Sequence, residues 1–296
     1  VSSLEGMNGC LAFTYVEKDR KNFCAGATAT KSVFCFDNRI VHIGTGITNN
    51  SPYPTETTIY QLKLDDKTEE ADIGDVYAET FPFSYKHMED GKINLTDTKG
   101  NIYIIRNGYG LVLEKKSQTS PSDTKKKTGT NNFITAYIDH GSSPQNASYE
   151  YLMLVKPNSK EESKYSKKLP YSVLQADDAA HVVNDEITGI TAYISYKGYA
   201  SDKTLLAEAE AETIVMERTK ADGSVVMSIC TPDLGITQKG YTTTQPSQEI
   251  VKKVVLNGNW TLSDPCDAVK MTSDGNKTII EVSCVHGQPV EISLKS

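Results

Sequence analysis

Lys31-Ser32-Val33-Phe34-Cys35-Phe36-Asp37-Asn38-Arg39-Ile40-Val41-His42-Ile43 is the stretch on which the fold reading turns. It is dense in Val, Ile and Phe, residues that suit a pleated, half-buried surface. Gly44-Thr45-Gly46 follows it. A dinucleotide-binding loop would need a third glycine at position 49 and a helix behind it, to aim backbone N–H groups at a phosphate. Position 49 is Asn49, and the next residues are Asn50-Ser51-Pro52-Tyr53-Pro54, which do not start a helix. The expectation is a strand that ends in a turn at Gly44–Gly46.

The same composition recurs outward in both directions. Thr57–Leu64, Asn101–Arg106, Gly110–Glu114, Phe133–Ile138 and Tyr149–Val155 read as strands, as do Ile190–Tyr196, Thr213–Glu217 and Val225–Cys230. Ile250–Leu256, Ala268–Thr272, Thr278–Val282 and Val290–Leu294 extend the series. Between them stand Asp90-Gly91, Lys99-Gly100, Asn107-Gly108, Asp222-Gly223, Asn257-Gly258 and Asp274-Gly275. Such pairs adopt positive φ at little cost and so mark turns. Many short strands with regular turn signals predict an all-β protein of stacked sheets. Leu205–Glu212 contains strong helix formers, yet Ala207, Ala209 and Ala211 alternate with Glu208, Glu210 and Glu212. That period of two reads as a strand. Lys115–Asn132, with five Lys against one Asp, reads as a basic loop. Asn158–Leu169 is polar and charged, with room for a short helix in 160–168, and marks a domain boundary before Pro170.

Bulk properties narrow the function classes. At roughly 100–200 residues per domain, 296 residues make one large or two medium domains. The net charge of -7 argues against a general nucleic-acid binder, which carries a basic stripe. No apolar run approaches the roughly 18 residues that span a bilayer. The opening Val1–Gly6 shows no leader features and reads as the middle of a fold. The six cysteines, Cys10, Cys24, Cys35, Cys230, Cys266 and Cys284, have no CxxC spacing, so a zinc site is not expected and structural thiols are favoured over disulfides.

The candidate chemistry is sparse. Asp139-His140-Gly141 closes a strand, where a polar pair braces a turn. Ser84-Tyr85-Lys86-His87 reads as a loop that offers a Tyr/His pair, but no matching Arg and Asn accompany it. The carboxylate pairs Asp65-Asp66, Glu69-Glu70, Glu161-Glu162 and Asp177-Asp178 read as solvated turns. Calcium is the one ion such clusters leave open, and no EF-hand spacing supports it. Tyr53, Tyr85 and Tyr109, read as exposed and on loops, are the candidates for stacking on sugar faces.

Lys31–Ile47 resembles a strand pair in the central β domain of the family-eight polysaccharide lyases, the chondroitinase and hyaluronate lyase type. Thr55-Glu56-Thr57-Thr58-Ile59-Tyr60-Gln61, Ala136-Tyr137-Ile138-Asp139-His140-Gly141, Pro144, Ala147-Ser148-Tyr149-Glu150-Tyr151 and Thr231-Pro232-Asp233-Leu234 are similar to further segments of that family, in the same order. The resemblance implies an antiparallel β super-sandwich over residues 1–169, N-terminally incomplete, and a smaller C-terminal β-sandwich over 170–296. It implies an N-terminal α/α toroid as partner, glycosaminoglycan chains as substrate, no cofactor, and a secreted or periplasmic bacterial enzyme. The implied chemistry is β-elimination at a uronic acid by Tyr, His, Arg and Asn on the toroid. No residue here matches that set, so no catalytic residue is assigned. Glu5 and Asn8, closest to the missing edge, are not taken as catalytic. The rival expectation is a stand-alone carbohydrate-binding β-sandwich. An exposed apolar face or unpaired strand near residues 1–13 would separate the two.

Overall fold

The stretch Lys31–Ile43 forms parts of two strands, Thr28–Phe36 and Arg39–Thr48, with Asp37 at φ +52° in the turn between them. The computed structural model describes residues 1–18, 24, 26–120, 128–237 and 244–296. Among these, strands pair antiparallel in each of the four sheets, and a single helix, Ser159–Lys167, is present. The chain divides into two compact units. One comprises Val1–Phe13, Thr30–Asp37 and Leu169–Ser296; the other comprises Thr14–Ala29 and Asn38–Lys168.

In the first unit a seven-stranded sheet runs Tyr171–Ala176, Ala180–Asp185, Ile190–Ser195, Thr213–Thr219, Val225–Cys230, Val290–Lys295, Thr261–Leu262. A five-stranded sheet runs Tyr199–Ala200, Leu206–Ala209, Ile250–Asn257, Lys277–Cys284, Val269–Asp274. Val182, Tyr193, Val215 and Met227 of the larger sheet share a core with Leu206, Val254, Ile280 and Val282 of the smaller. Yet Ile190–Ser195 and Val225–Cys230 are buried at every position, so their other face is covered too. The N-terminal hairpin supplies part of that cover. Ser2–Leu4 pairs with the start of Asn8–Val16 and lies against Thr213–Thr219 and Val225–Cys230. Leu4 is fully buried, which contributes about 2 kcal/mol. Ser2 Oγ lies 3.4 Å from Ser228 Oγ, and Cys230 Sγ lies 3.4 Å from the Val1 carbonyl.

A buried polar chain ties Thr28–Phe36 to this unit. Ser32 Oγ lies 2.6 Å from His181 Nδ1 and 2.7 Å from the Tyr196 hydroxyl, which donates to the Lys31 carbonyl at 2.9 Å. Burial holds His181 down at a pKa of about 4, so it is neutral at pH 7.

The second unit also layers two sheets. Arg39–Thr48, Ala147–Leu154, Ile102–Ile105, Ile93–Thr96, Asp72–Ile73 and Val76–Tyr77 lie side by side in one. Pro54–Lys63, Gly129–Ser142, Leu111–Ser120 and Phe83–Lys86 form the other. Leu95, Tyr103, Ile105 and Tyr151 meet Tyr60, Leu111, Leu113, Ile134 and Ala136 in the core. Lys115, fully buried, donates from Nζ to the Glu69 and Ala78 carbonyls, both at 2.8 Å. These bonds satisfy two backbone acceptors of a loop that lacks ladder partners there.

Three expectations need correction. Gly44–Gly46 is no strand end: Arg39–Thr48 runs through it. The register shifts between Ala147 and Tyr149, Gly46 takes φ +62°, and the Tyr149 ring occupies the space a Cβ on Gly44 would fill. Lys115–Asn132 is not a loop at its described ends, because Leu111–Ser120 pairs with Gly129–Ser142 out to Ser120↔Gly129. Residues 121–127, with three of that segment's five lysines, lie outside the described residues. Leu205–Glu212 is a strand only over Leu206–Ala209. The polar segment before Pro170 does hold the helix Ser159–Lys167, started by a capping box in which Asn158 and Glu161 bond each other's backbone N–H.

Candidate functional site

Antiparallel order brings four strand termini to one end of the four-stranded sheet. Pro54–Lys63 and Leu111–Ser120 begin there, and Gly129–Ser142 and Phe83–Lys86 end there. The adjoining loops, 49–53, 87–92, 106–110 and 143–146, therefore share that end. Backbone bonds fix them to one another: Gly110 N to the His87 carbonyl at 2.9 Å, Asp139 N to the Gly110 carbonyl at 2.9 Å, and Ser143 N to the Ser51 carbonyl at 3.0 Å.

Tyr53 and Tyr109 stand on these loops, 75% and 51% exposed. Tyr85 does not. It lies inside the strand Phe83–Lys86, half-buried, with its ring packed on the core. The expectation of Tyr85 as an exposed loop residue is corrected by the strand's alternation, which turns Ser84 and Lys86 outward and Tyr85 inward. His87 follows the strand, and the Tyr85 hydroxyl reaches its Nδ1 only at 3.5 Å, beyond a tight proton-transfer distance.

The charged groups at this end are engaged. Lys86 Nζ donates to Asp139 Oδ2 at 2.7 Å, and the Gly141 N–H donates to Asp139 Oδ1 at 2.8 Å. The Lys86 hydrogen bond, with the Gly141 N–H, holds the Asp139 carboxyl below its ordinary range. His140 Nε2 lies 2.8 Å from Thr57 Oγ1. Asp139-His140-Gly141 thus lies inside the strand Gly129–Ser142, bracing a bulge where the register shifts between Asp139 and Ser142, and not the turn its sequence position suggests. Arg106, 60% exposed at its side chain, reaches Glu150 at 3.4 Å. On the sheet's outer face Tyr137 donates to Glu114 at 3.4 Å, and burial with the nearby Glu114 and Glu56 charges pushes its hydroxyl up to about 12.

The remaining histidines are occupied elsewhere. His42 stacks on Tyr151 at 4.4 Å and is held by burial at about 4. His181 is buried with Ser32, and His286 bonds Ser247. Among the described residues no three His, Cys, Asp or Glu converge as metal ligands. The end surface offers two aromatic faces and two cations, groups that stack on and hydrogen-bond sugars. Neither Arg106 nor Lys86 stands out in the sequence as a sugar-facing cation: Arg106 ends a predicted strand before the Asn107-Gly108 turn, and Lys86 is read only as part of Ser84–His87.

The N-terminal hairpin has a different character. Glu5 pairs with Arg218, and its N–H donates to Glu291 at 2.7 Å. Asn8 Oδ1 accepts from the Asp37 N–H at 3.2 Å. Both residues have structural work. Asn8 and Cys10 point inward, whereas Met7, Leu11 and Phe13 are 78%, 41% and 50% exposed.

Residues 1–167 match the super-sandwich domain of polysaccharide lyase family 8. The chondroitin sulfate ABC endolyase of Proteus vulgaris is 27% identical over 99% of this chain, which covers 29% of that relative. The chondroitin sulfate ABC exolyase of Bacteroides thetaiotaomicron is 27% identical over 98% of the chain, again 29% of the relative. The chain therefore spans less than a third of the length of these curated relatives. Among solved structures, a Paenibacillus xanthan lyase superposes with a TM-score of 0.79 at 18% identity, over 99% of this chain and 28% of that one. A Streptomyces coelicolor chondroitin AC lyase bound to chondroitin sulphate gives 0.69 at 17%, over 97% and 34%. At those identities the structures speak for the fold. Taken with the all-β, antiparallel architecture, the match over more than half its length identifies the chain as a member of polysaccharide lyase family 8.

Proposed function

We propose that this chain is the β portion of a glycosaminoglycan lyase that works by β-elimination at a uronic acid, outside the bacterial cytoplasm. Its role is to pack on the N-terminal α/α toroid, which carries the catalytic residues, and to shape one side of the substrate cleft. The observation that carries the reading is the exposed apolar group Met7, in the hairpin turn, with Leu11 and Phe13, on the strand Asn8–Val16 whose opposite face is buried at Asn8 and Cys10. Water contact with such a group is unfavourable, and a missing partner surface removes it. The group favours this reading over a self-contained sugar-binding sandwich. The 3.5 Å between the Tyr85 hydroxyl and His87 Nδ1, long for proton transfer, supports a non-catalytic role. Tyr53 and Tyr109 are the residues we assign to sugar contact, on the loops at one end of the second unit's four-stranded sheet.

The test is ultraviolet detection of the unsaturated uronate product from chondroitin sulfates and hyaluronan. The chain alone gives no product, and the toroid with the chain gives product. Leu11→Ser with Phe13→Ser weakens assembly of the two and leaves the chain folded. Product formed by the chain alone would overturn the assignment of chemistry to the toroid.

A further inference from the structure

The helix Ser159–Lys167 has no part in the reading above, yet it carries the densest positive charge among the described residues outside the sheet ladders. Residues 156–168 hold five lysines against two glutamates, a local +3 in a chain of net charge -7. At 3.6 residues per turn, Lys160, Lys164 and Lys167 fall within about 60° of the helix circumference, spread over about 10 Å of its length. All three are exposed. The helix turns its other side to the protein: Tyr165 is buried, and Glu161 is drawn into the N-cap and toward Asn38 Nδ2 at 3.5 Å. Neither glutamate forms an ion pair with the three lysines among the described residues. Lys92, from the adjoining segment, donates to the Ser166 and Lys167 carbonyls at the helix end and sets a fourth ammonium beside the row.

Lys164 and Lys167 suit the negative end of the helix dipole, but Lys160 and Lys164, at i and i+4, repel each other. A polyanion lying along the row would relieve that repulsion and release its counterions. We infer that Lys160, Lys164 and Lys167, with Lys92 on the loop 87–92, form a docking stripe for a sulfated glycosaminoglycan chain. The inference rests on the proposed function for the choice of polyanion. The stripe holds the polymer by charge, and its three-lysine spacing along one face suits an extended chain with anionic groups on successive sugars.

The test is binding of fluorescently labelled chondroitin 4-sulfate chains to the 296-residue chain, read as anisotropy between about 50 and 200 mM NaCl. The variant K160Q/K164Q/K167Q removes the stripe and keeps helix propensity, since Gln and Lys rank together. The variant K203Q/K220Q/K270Q removes the same charge from exposed positions elsewhere. The stripe variant is expected to bind at least about tenfold more weakly near 200 mM salt, with a salt slope shallower by about two, at ~0.7–0.9 per lost contact. The control variant stays within about twofold of the parent on the same scale. Equal losses in both variants, no loss in either, or no binding by the parent chain would overturn the inference. Stripe-dependent binding that is tighter to anionic vesicles or to single-stranded DNA than to chondroitin 4-sulfate would overturn the choice of polysaccharide. Binding by this chain is measured without cleavage, so its outcome is independent of the product assay that tests the proposed function.

Discussion

His181 sets up a test of how the first unit is held together. The ring is fully buried, bonded to Ser32, and held by burial at a pKa of about 4 against an ordinary 6.5. A group whose folded pKa is depressed in this way takes up a proton more readily when the chain unfolds. Below pH 6.5 the unfolded state gains that proton and the folded state does not, so stability falls as pH drops from 6.5 toward 4. The loss is about 2 kcal/mol between pH 7 and pH 5. Glu217 acts in the opposite sense. Buried, with Tyr193 at 3.3 Å, its carboxyl is pushed up to about 7 from 4.5, chiefly by desolvation. Its stabilising protonated form is lost as pH rises through that window, again by about 2 kcal/mol. The two nearly cancel, so the parent chain is expected to show little net change from these groups between pH 5 and 7. Urea unfolding followed through Trp260, the single tryptophan and a neighbour of this unit's core, resolves them. The stability gap between parent and His181→Gln should narrow by about 2 kcal/mol from pH 7 to pH 5. For Glu217→Gln the variant should gain on the parent by about the same amount from pH 5 to pH 7. A gap for His181→Gln that stays constant across that range would show that the folded state carries His181 at its ordinary pKa, and the burial argument would fail.

Three further outcomes follow from particular contacts. Gly44→Ala places a Cβ 2.1 Å from the Tyr149 ring, and is expected to cost about 2 kcal/mol or more by urea unfolding. Asp97, buried, accepts from the Lys99 and Asn101 N–H groups, the Asn101 amide and the Tyr103 hydroxyl at 2.8–3.0 Å. Asp97→Ala strands those donors and should cost about 3 kcal/mol, read by the same method. All six thiols are free, and Cys10, Cys230 and Cys284 are buried with raised pKa values. In native protein, Ellman's reagent should therefore find only Cys24 and Cys266 promptly, the half-buried Cys35, its pKa also raised by burial, more slowly, and the other three on denaturation; prompt reaction of Cys230 would contradict its burial.

The strands were legible in the sequence wherever one face is apolar. Thr278–Val282 and Val290–Leu294 lie within the observed Lys277–Cys284 and Val290–Lys295, because alternation is a local signal. The pairing of Leu111–Ser120 with Gly129–Ser142 was not legible at its outer end. There the ladder is dressed with polar pairs, Ser117 with Asn132 and Thr119 with Thr130, which leave no apolar period to read. Gly44 looked like punctuation because its reason for being glycine, the ring of Tyr149, lies 105 positions away in sequence and on a partner strand. At the candidate site, Tyr53 and Tyr109 could be chosen from loop context alone. Tyr85 failed because Ser84, Tyr85 and Lys86, which look like a loop, are part of a strand once Leu111–Ser120 lies beside them. Lys86 and Asp139 are 53 residues apart and meet only through that register.

Ser2 and Ser228 touch across 226 positions. A ribosome that adds about 5–20 residues per second needs roughly 10–45 s to make that stretch. For most of that time the N-terminal hairpin is out of the exit tunnel with Leu4 and Cys10 in water, since the strands that cover them do not yet exist. Loop closure over such a separation is entropically slow. The hairpin is therefore the part of this chain that depends most on being shielded during synthesis, and slowing elongation between residues 16 and 213 should lower the yield of folded protein more than slowing it after 230.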